Sequence, residues 1–236
     1  MKPMPSVTAF ALKVAAIVGM TCNHIANVFG TELPGGVMVA LYSLGGLTFP
    51  IMAYLLCEGY RHTASVRRYA ERLAVFAAVS QVPYSLLFGA TGNVLITLLI
   101  GLGMLWLLDH KRQNLSLCAL GLLGGLAASF LCDWGVIGPL MIMLFWHYHD
   151  RPRGVAVAMV VPLLGLGLPA LSTALGDPTP LNLGVLGYYT VGFGLATALM
   201  LSYNGQRGRP LKWFFYVYYP AHLLALWALA QILPLS

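Results

Sequence analysis

The sequence predicts an all-α integral membrane protein, a polytopic bundle of about nine membrane-spanning helices. Three observations lead there. Of the 236 residues, 59% are apolar and 8% charged, against roughly 45–50% and 25% for an average soluble domain. Long apolar runs recur along the whole chain, each near the ~20 residues that cross a bilayer as helix. Ten of the thirteen Lys and Arg collect in or beside alternate gaps between those runs. This composition excludes a soluble globular domain, a nucleic-acid-binding domain and a disulfide-stapled scaffold. The net charge of +6 therefore bears on orientation in the membrane rather than on an acidic partner.

Taken in order, spans are expected over 8–29, 36–60, 69–89, 93–109, 115–131, 133–149, 154–175, 182–203 and 211–233. The gap after the second span holds Arg61, Arg67 and Arg68, and that after the fourth holds Lys111 and Arg112. After the sixth come Arg151 and Arg153, and after the eighth Arg207, Arg209 and Lys212. Gaps after odd spans carry only the acids Glu32, Asp133 and Asp177. This alternation follows the positive-inside rule and puts the N-terminus in the cytoplasm and the C-terminus outside. Lys13 and His24 interrupt the first apolar run, so Met1 to Ser6 with Lys2 reads as the lead of an uncleaved span rather than a signal peptide. With no linker, repeat or low-complexity tract, residues 1–236 form one membrane domain.

Cys22, Cys57, Cys118 and Cys132 form no Cys-x-x-Cys pair and read as buried thiols. His147 and His149 are too closely spaced to share a helical face as metal ligands, and no metal is expected.

Ionisable groups inside spans are costly and invite a functional reading. Lys13 and His24 are eleven residues apart, a little over three helical turns, so they share one face over about 16 Å of rise. Met20 and Asn27 share that face. Alone, Lys13 reads first as a snorkelling lysine and His24 as a packing imidazole; it is their combination that points to function. His222, midway along a span of the same direction, is expected at similar depth to His24. Four arginines, Arg61, Arg67, Arg68 and Arg72, make a cytoplasmic hairpin with Glu58 and Glu71 as i,i+4 partners of His62 and Arg67. Arg68 and Arg72, one turn apart, suit a phosphate as well as they suit topology.

These residues resemble the TraX family, membrane acetylases of F-type pilin subunits. The resemblance rests on Lys13, Met20-Thr21 and His24-Ile25, Phe49-Pro50, Glu58-Gly59 and His62-Thr63. It continues through Arg68-Tyr69, Arg72-Leu73, Gln81-Val82-Pro83-Tyr84, Asn93, Asp133-Trp134-Gly135 with Gly138, and Trp213 to His222-Leu223. A basic residue, ten others, then His is also similar to the signature of the acyltransferase-three group of membrane enzymes. One departure is Asn23, which precedes the histidine where that pattern commonly has an acid; an amide orients an imidazole but adds no charge.

The resemblance implies acetyl transfer from cytoplasmic acetyl-coenzyme A to an acceptor at the membrane or periplasmic face, a pilin N-terminal amine being the expected one, in the bacterial inner membrane. It implies His24 as general base or acyl carrier, with Asn23 beside it and His222 and Tyr219 donating to the oxyanion or orienting the acceptor. Lys13, Arg61, Arg68 and Arg72 are the expected donor-binding cations. Asp133, Tyr216 and Glu58 are expected to meet the acceptor, Asp133 serving equally well as a helix cap. Two other readings stay open: O-acetylation of a surface glycan, and a proton-coupled transporter using Lys13, His24, Glu58 and His222 as an ion path.

Overall fold

The computed structural model describes residues 7–111, 113–151 and 153–233. Lys2 and Arg112, which enter the charge pattern, lie outside the described residues, as does the side chain of Lys212. Among the described residues the fold is all-helical, with only isolated bridges between extended residues.

Helix α1 (Ala9–Phe29) starts where Thr8 Oγ1 accepts the Ala11 N–H at 3.3 Å, satisfying one of the donors that a helix start leaves open. Leu12, Ala16, Met20 and His24 recur every four residues and bury one face. The run expected as one span over 36–60 is two helices, α2 (Gly35–Gly45) and α3 (Thr48–His62). The break comes where glycines admit neighbouring backbone. A Cβ on Gly45 would stand 2.7 Å from the Asn23 Cβ, and one on Gly46 would collide with the Tyr188 carbonyl oxygen.

Helix α4 (Val66–Phe88) begins ahead of the expected residue 69, because Ser65 Oγ caps it by accepting the Arg68 N–H at 3.2 Å. Arg67 and Arg68 therefore lie in its first turn. Asn93 starts α5 (Val94–His110), its Oδ1 accepting the Leu95 N–H at 3.0 Å. The same wholly buried side chain donates to the Ala77 carbonyl and to Gln81 Oε1, each at 2.8 Å. Gln81 and Asn93 thus join α4 to α5, satisfying polar groups that would otherwise be buried unpaired.

Next come α6 (Leu115–Ser129), α7 (Ile137–Tyr148) and α8 (Gly154–Gly176). The expected 182–203 span is α9 (Pro180–Gly187), a π-helical turn Tyr188–Gly192, and α10 (Phe193–Leu201). Finally α11 (Lys212–Ile232) carries Pro220 inside it. Helix α3 lies at the centre, packed by α1, α5, α7 and α10, with Phe49, Ile51, Ala53 and Cys57 wholly buried. Helices α6 and α8 turn Leu120, Leu123, Leu164 and Leu168 outward, as helices facing lipid do.

Helix occupies each segment expected from the sequence. Among the described residues five stretches have the length and apolarity of a membrane span: Ala9–Glu32, Gly35–His62, Gly154–Gly176, Pro180–Leu201 and Trp213–Ile232. Shorter apolar helices cover Val94–His110, Leu115–Ser129 and Ile137–Tyr148.

Candidate functional site

Helices α1, α3, α4, α5 and α11 enclose a cavity of about 480 Å³. It runs along α1 from Ala9 to Met20, about 16 Å of helix. Lys13, Arg72 and Arg207 line it near the starts of α1, α4 and α11, and Met20, Leu95 and Tyr219 line its far end. Lys13 Nζ lies 5.4 Å from the Phe215 ring centre, and the Arg72 guanidinium 5.7 Å from that of Tyr69. Such contacts stabilise a cation without neutralising it. Arg72 Nε is buried with no hydrogen-bond partner, a donor in need of an acceptor. Arg207 reaches this cluster because its loop pairs with the start of α1: the Ala9 N–H donates to the Gln206 carbonyl at 2.9 Å and the Phe10 N–H to that of Arg207 at 3.1 Å.

Glu58 lines the same cavity and is tied from behind. Its Oε1 is hydrogen-bonded to His149 Nε2, while His149 Nδ1 lies 3.1 Å from Asp150. Asp150 also accepts from Arg61 at 3.0 Å. The His149 hydrogen bond and the Arg61 charge hold the exposed Asp150 carboxyl below the usual range. This network fastens the end of α3 to the end of α7.

One turn beyond Met20, His24 Nδ1 stands 2.8 Å from His222 Nε2. Both rings are buried. One turn back along α11, Tyr218 Oη meets Thr21 Oγ1 at 2.7 Å. Two polar rungs thus join α1 to α11. Beside them the Tyr219 hydroxyl is buried with no hydrogen-bond partner.

On the far side of the histidines a second cavity, of about 270 Å³, is lined by Asn23, Asn27, Tyr42, Asp133, Trp134, Tyr188 and Tyr189 among others. Asp133 lies in the loop before α7, held where its N–H donates to the Gly92 carbonyl at 2.8 Å. Water reaches it, yet the protein surrounding it pushes its carboxyl up to about 6, opposed by a hydrogen bond from Tyr84. Tyr188 and Tyr189 come from the π-helical turn, a distortion that recurs at functional sites.

Two cavities thus lie at either side of a buried histidine pair, one lined by Lys13, Arg72 and Arg207 and the other by Asp133 and aromatic rings. The description TraX protein matches residues 9–230. The chain belongs to the TraX family. It is also similar to a protein of Dichelobacter nodosus described as probable fimbrial assembly protein FimC, serogroup H1. The two are 28% identical over 234 residues, covering 93% of this chain and 94% of the relative. No solved structure matches.

In this TraX protein the residues singled out by sequence divide into four groups. Lys13, Glu58, Arg72, Tyr216 and Tyr219 line the larger cavity, and Asn23 and Asp133 the smaller. His24 and His222 meet between them. Arg61 and Arg68 do not reach the larger cavity: Arg61 is taken up by Asp150 and lies 5.8 Å from the Trp146 ring centre, and Arg68 points outward from α4. Asp133 caps no helix, because α7 begins at Ile137 and its N-cap is Val136. Sequence reasoning passed over Arg207 and Tyr203 as cavity residues. Arg207 carried only a topological signal, and Tyr203 none, since both arrive through backbone pairing with the chain start.

Proposed function

We propose that this TraX protein is a membrane-integral acetyltransferase. It moves acetyl from cytoplasmic acetyl-coenzyme A to an amine at the outer side of the bacterial inner membrane, such as the N-terminus of a pilin subunit. One observation carries this reading: a single cavity leads from Lys13, Arg72 and Arg207 to Met20 and Tyr219, one turn short of His24. Membership of the TraX family and a relative described as a fimbrial assembly protein support it.

Lys13, Arg72 and Arg207 would hold the phosphates of the donor by charge-assisted hydrogen bonds. Ala16, Ile17, Leu73 and Leu98 form apolar walls suited to its pantetheine arm. On the opposite side, Asp133 with Trp134, Tyr188 and Tyr189 would hold the acceptor as an ammonium. The ammonium first gives one proton to the Asp133 carboxylate; as the resulting neutral amine adds to the thioester carbonyl, His24 takes the proton that nitrogen sheds. The new N–C bond forms, the C–S bond breaks, and His24 returns the proton to the departing thiolate. Tyr219 Oη, unpartnered in the resting protein, is the donor for the oxygen on which charge develops.

The charge alternation supports nine crossings with the N-terminus inside, α2–α3 and α9–α10 each crossing as a broken pair. Reporter fusions at Thr63–Ala64 and Asp177 read this topology. For the activity, purified protein in liposomes is given labelled acetyl-coenzyme A and a pilin-like peptide. Label reaches the peptide with wild type and not with His24→Ala, which still gains thermal stability from acetyl-coenzyme A. No transfer and no stabilisation by the donor would overturn the reading.

A proton-coupled carrier is favoured by one feature, the presence of a cavity on each side of the histidine pair. A carrier gives no reason for stabilisation by acetyl-coenzyme A.

A further inference from the structure

We infer that His222 is a positioning residue that fixes the tautomer of His24, leaving the proton of the neutral ring on Nδ1 and making Nε2 the atom that accepts a proton. The tautomer is independent of any activity. Its use in catalysis rests on the acetyltransferase reading.

The inference begins at a backbone carbonyl. His222 Nδ1 lies 3.0 Å from the Tyr218 oxygen, and a carbonyl oxygen only accepts, so this nitrogen carries a hydrogen. A neutral imidazole has one N–H, which leaves His222 Nε2 as a lone pair. That lone pair lies 2.8 Å from His24 Nδ1. His24 Nδ1 must therefore be the donor, and neutral His24 has no hydrogen left for Nε2. Reversing the chain would set the His222 Nδ1 lone pair against the carbonyl lone pairs and lose a buried hydrogen bond.

Ring geometry agrees. The two imidazoles are within 3° of parallel with centres 5.0 Å apart, the separation of rings meeting edge to edge along one N–H···N bond. The neighbouring rung holds the register. Thr21 Oγ1 donates to the Ile17 carbonyl at 2.9 Å, so Tyr218 Oη donates to Thr21, and Tyr218 is the residue whose carbonyl anchors His222. Among the described residues no other hydrogen-bond partner reaches either nitrogen of His24. Asn23 offers no substitute: it accepts from Asn27 Nδ2 at 3.2 Å and lines the outer cavity. The orienting role that an acid would have beside His24 thus falls to an imidazole on another helix.

The test is nitrogen NMR of the full-length protein in detergent with 15N-labelled histidine, His24 being assigned by its loss in His24→Ala. Wild type shows His24 protonated at Nδ1 and bare at Nε2. His222→Phe, which removes the acceptor, returns His24 to the Nε2–H form that free histidine favours. His222→Gln, whose Oε1 reaches the position of Nε2, keeps the wild-type signature and restores acetyl transfer that His222→Phe loses through kcat rather than the KM for acetyl-coenzyme A. An Nε2–H signal assigned to His24 in wild type overturns the inference whether or not His222→Phe folds, as does an unchanged tautomer in folded His222→Phe. Wild type that transfers acetyl while showing Nε2–H would sink this inference and spare the enzymatic reading; the expected tautomer without transfer would do the reverse.

Discussion

His24 Nδ1 and His222 Nε2 lie 2.8 Å apart although 198 positions separate them along the chain. Each imidazole satisfies the other in a place where water does not. Removing one partner leaves a buried polar group unpaired, at a cost of about 1–3 kcal/mol. His24→Ala and His222→Ala should each destabilise the detergent-solubilised protein by about that much beyond the loss of packing. The double variant should lose less than the sum, by roughly 1 kcal/mol. Thermal unfolding of the four proteins measures this, and strict additivity would count against the pair.

The cavity separates two arginines that the sequence both offered as donor-binding cations. Arg72 lines it and Arg68 does not. A charge-assisted hydrogen bond contributes about 1.5–3 kcal/mol. Arg72→Ala and Arg207→Ala should thus weaken acetyl-coenzyme A binding roughly tenfold or more each, and Arg68→Ala should leave it near wild type. Titration calorimetry in detergent decides, and equal effects at positions 68 and 72 would remove the cavity from donor binding.

Gly46 occupies the crossing of α2–α3 with the π-helical turn. A Cβ there meets backbone that cannot move aside, so Gly46→Ala should be among the most damaging small substitutions, costing several kcal/mol or abolishing folding (about 1–3 kcal/mol is usual for overpacking). Gly103, exposed on α5, has open space at the same position. Gly103→Ala should be neutral or stabilising by up to ~1 kcal/mol through helix propensity. Comparing melting temperatures of the two variants tests whether the close approach is real.

Asp133 gives a pH dependence with a definite sign. Its carboxyl is pushed up to about 6, above the ordinary ~3.9, so the folded protein holds this proton more tightly than the unfolded chain does. The resulting stability is present in full below about pH 4 and is lost as pH rises through about 6. Asp133→Asn cannot ionise, so its melting temperature should gain on wild type over that interval and keep a constant difference above it. An amine held by the carboxylate should bind wild type better above pH 6 than below it, and Asp133→Asn weakly at every pH.

The helical class was legible because it is written locally. Apolar runs and arginines in alternate gaps each act on their own few residues. The two broken spans were not legible. Nothing in Gly45 and Gly46 alone demands a break; it comes from Asn23 and Tyr188 standing against them. In the same way Arg61 looked like a cavity residue until Asp150, distant in sequence, proved to hold it.

What the sequence by itself determined is that this chain is helical, suited to a membrane, and carries Lys13 and His24 along one stripe, since helical period and apolar length depend only on neighbours. Tertiary structure alone decided that His24 meets His222, that Arg207 joins Lys13, and that Asp133 faces a separate cavity. Those contacts join parts of the chain with no local signal for each other, and only the packing of α1 against α11 and of the loops across the helix ends brings them within bonding distance.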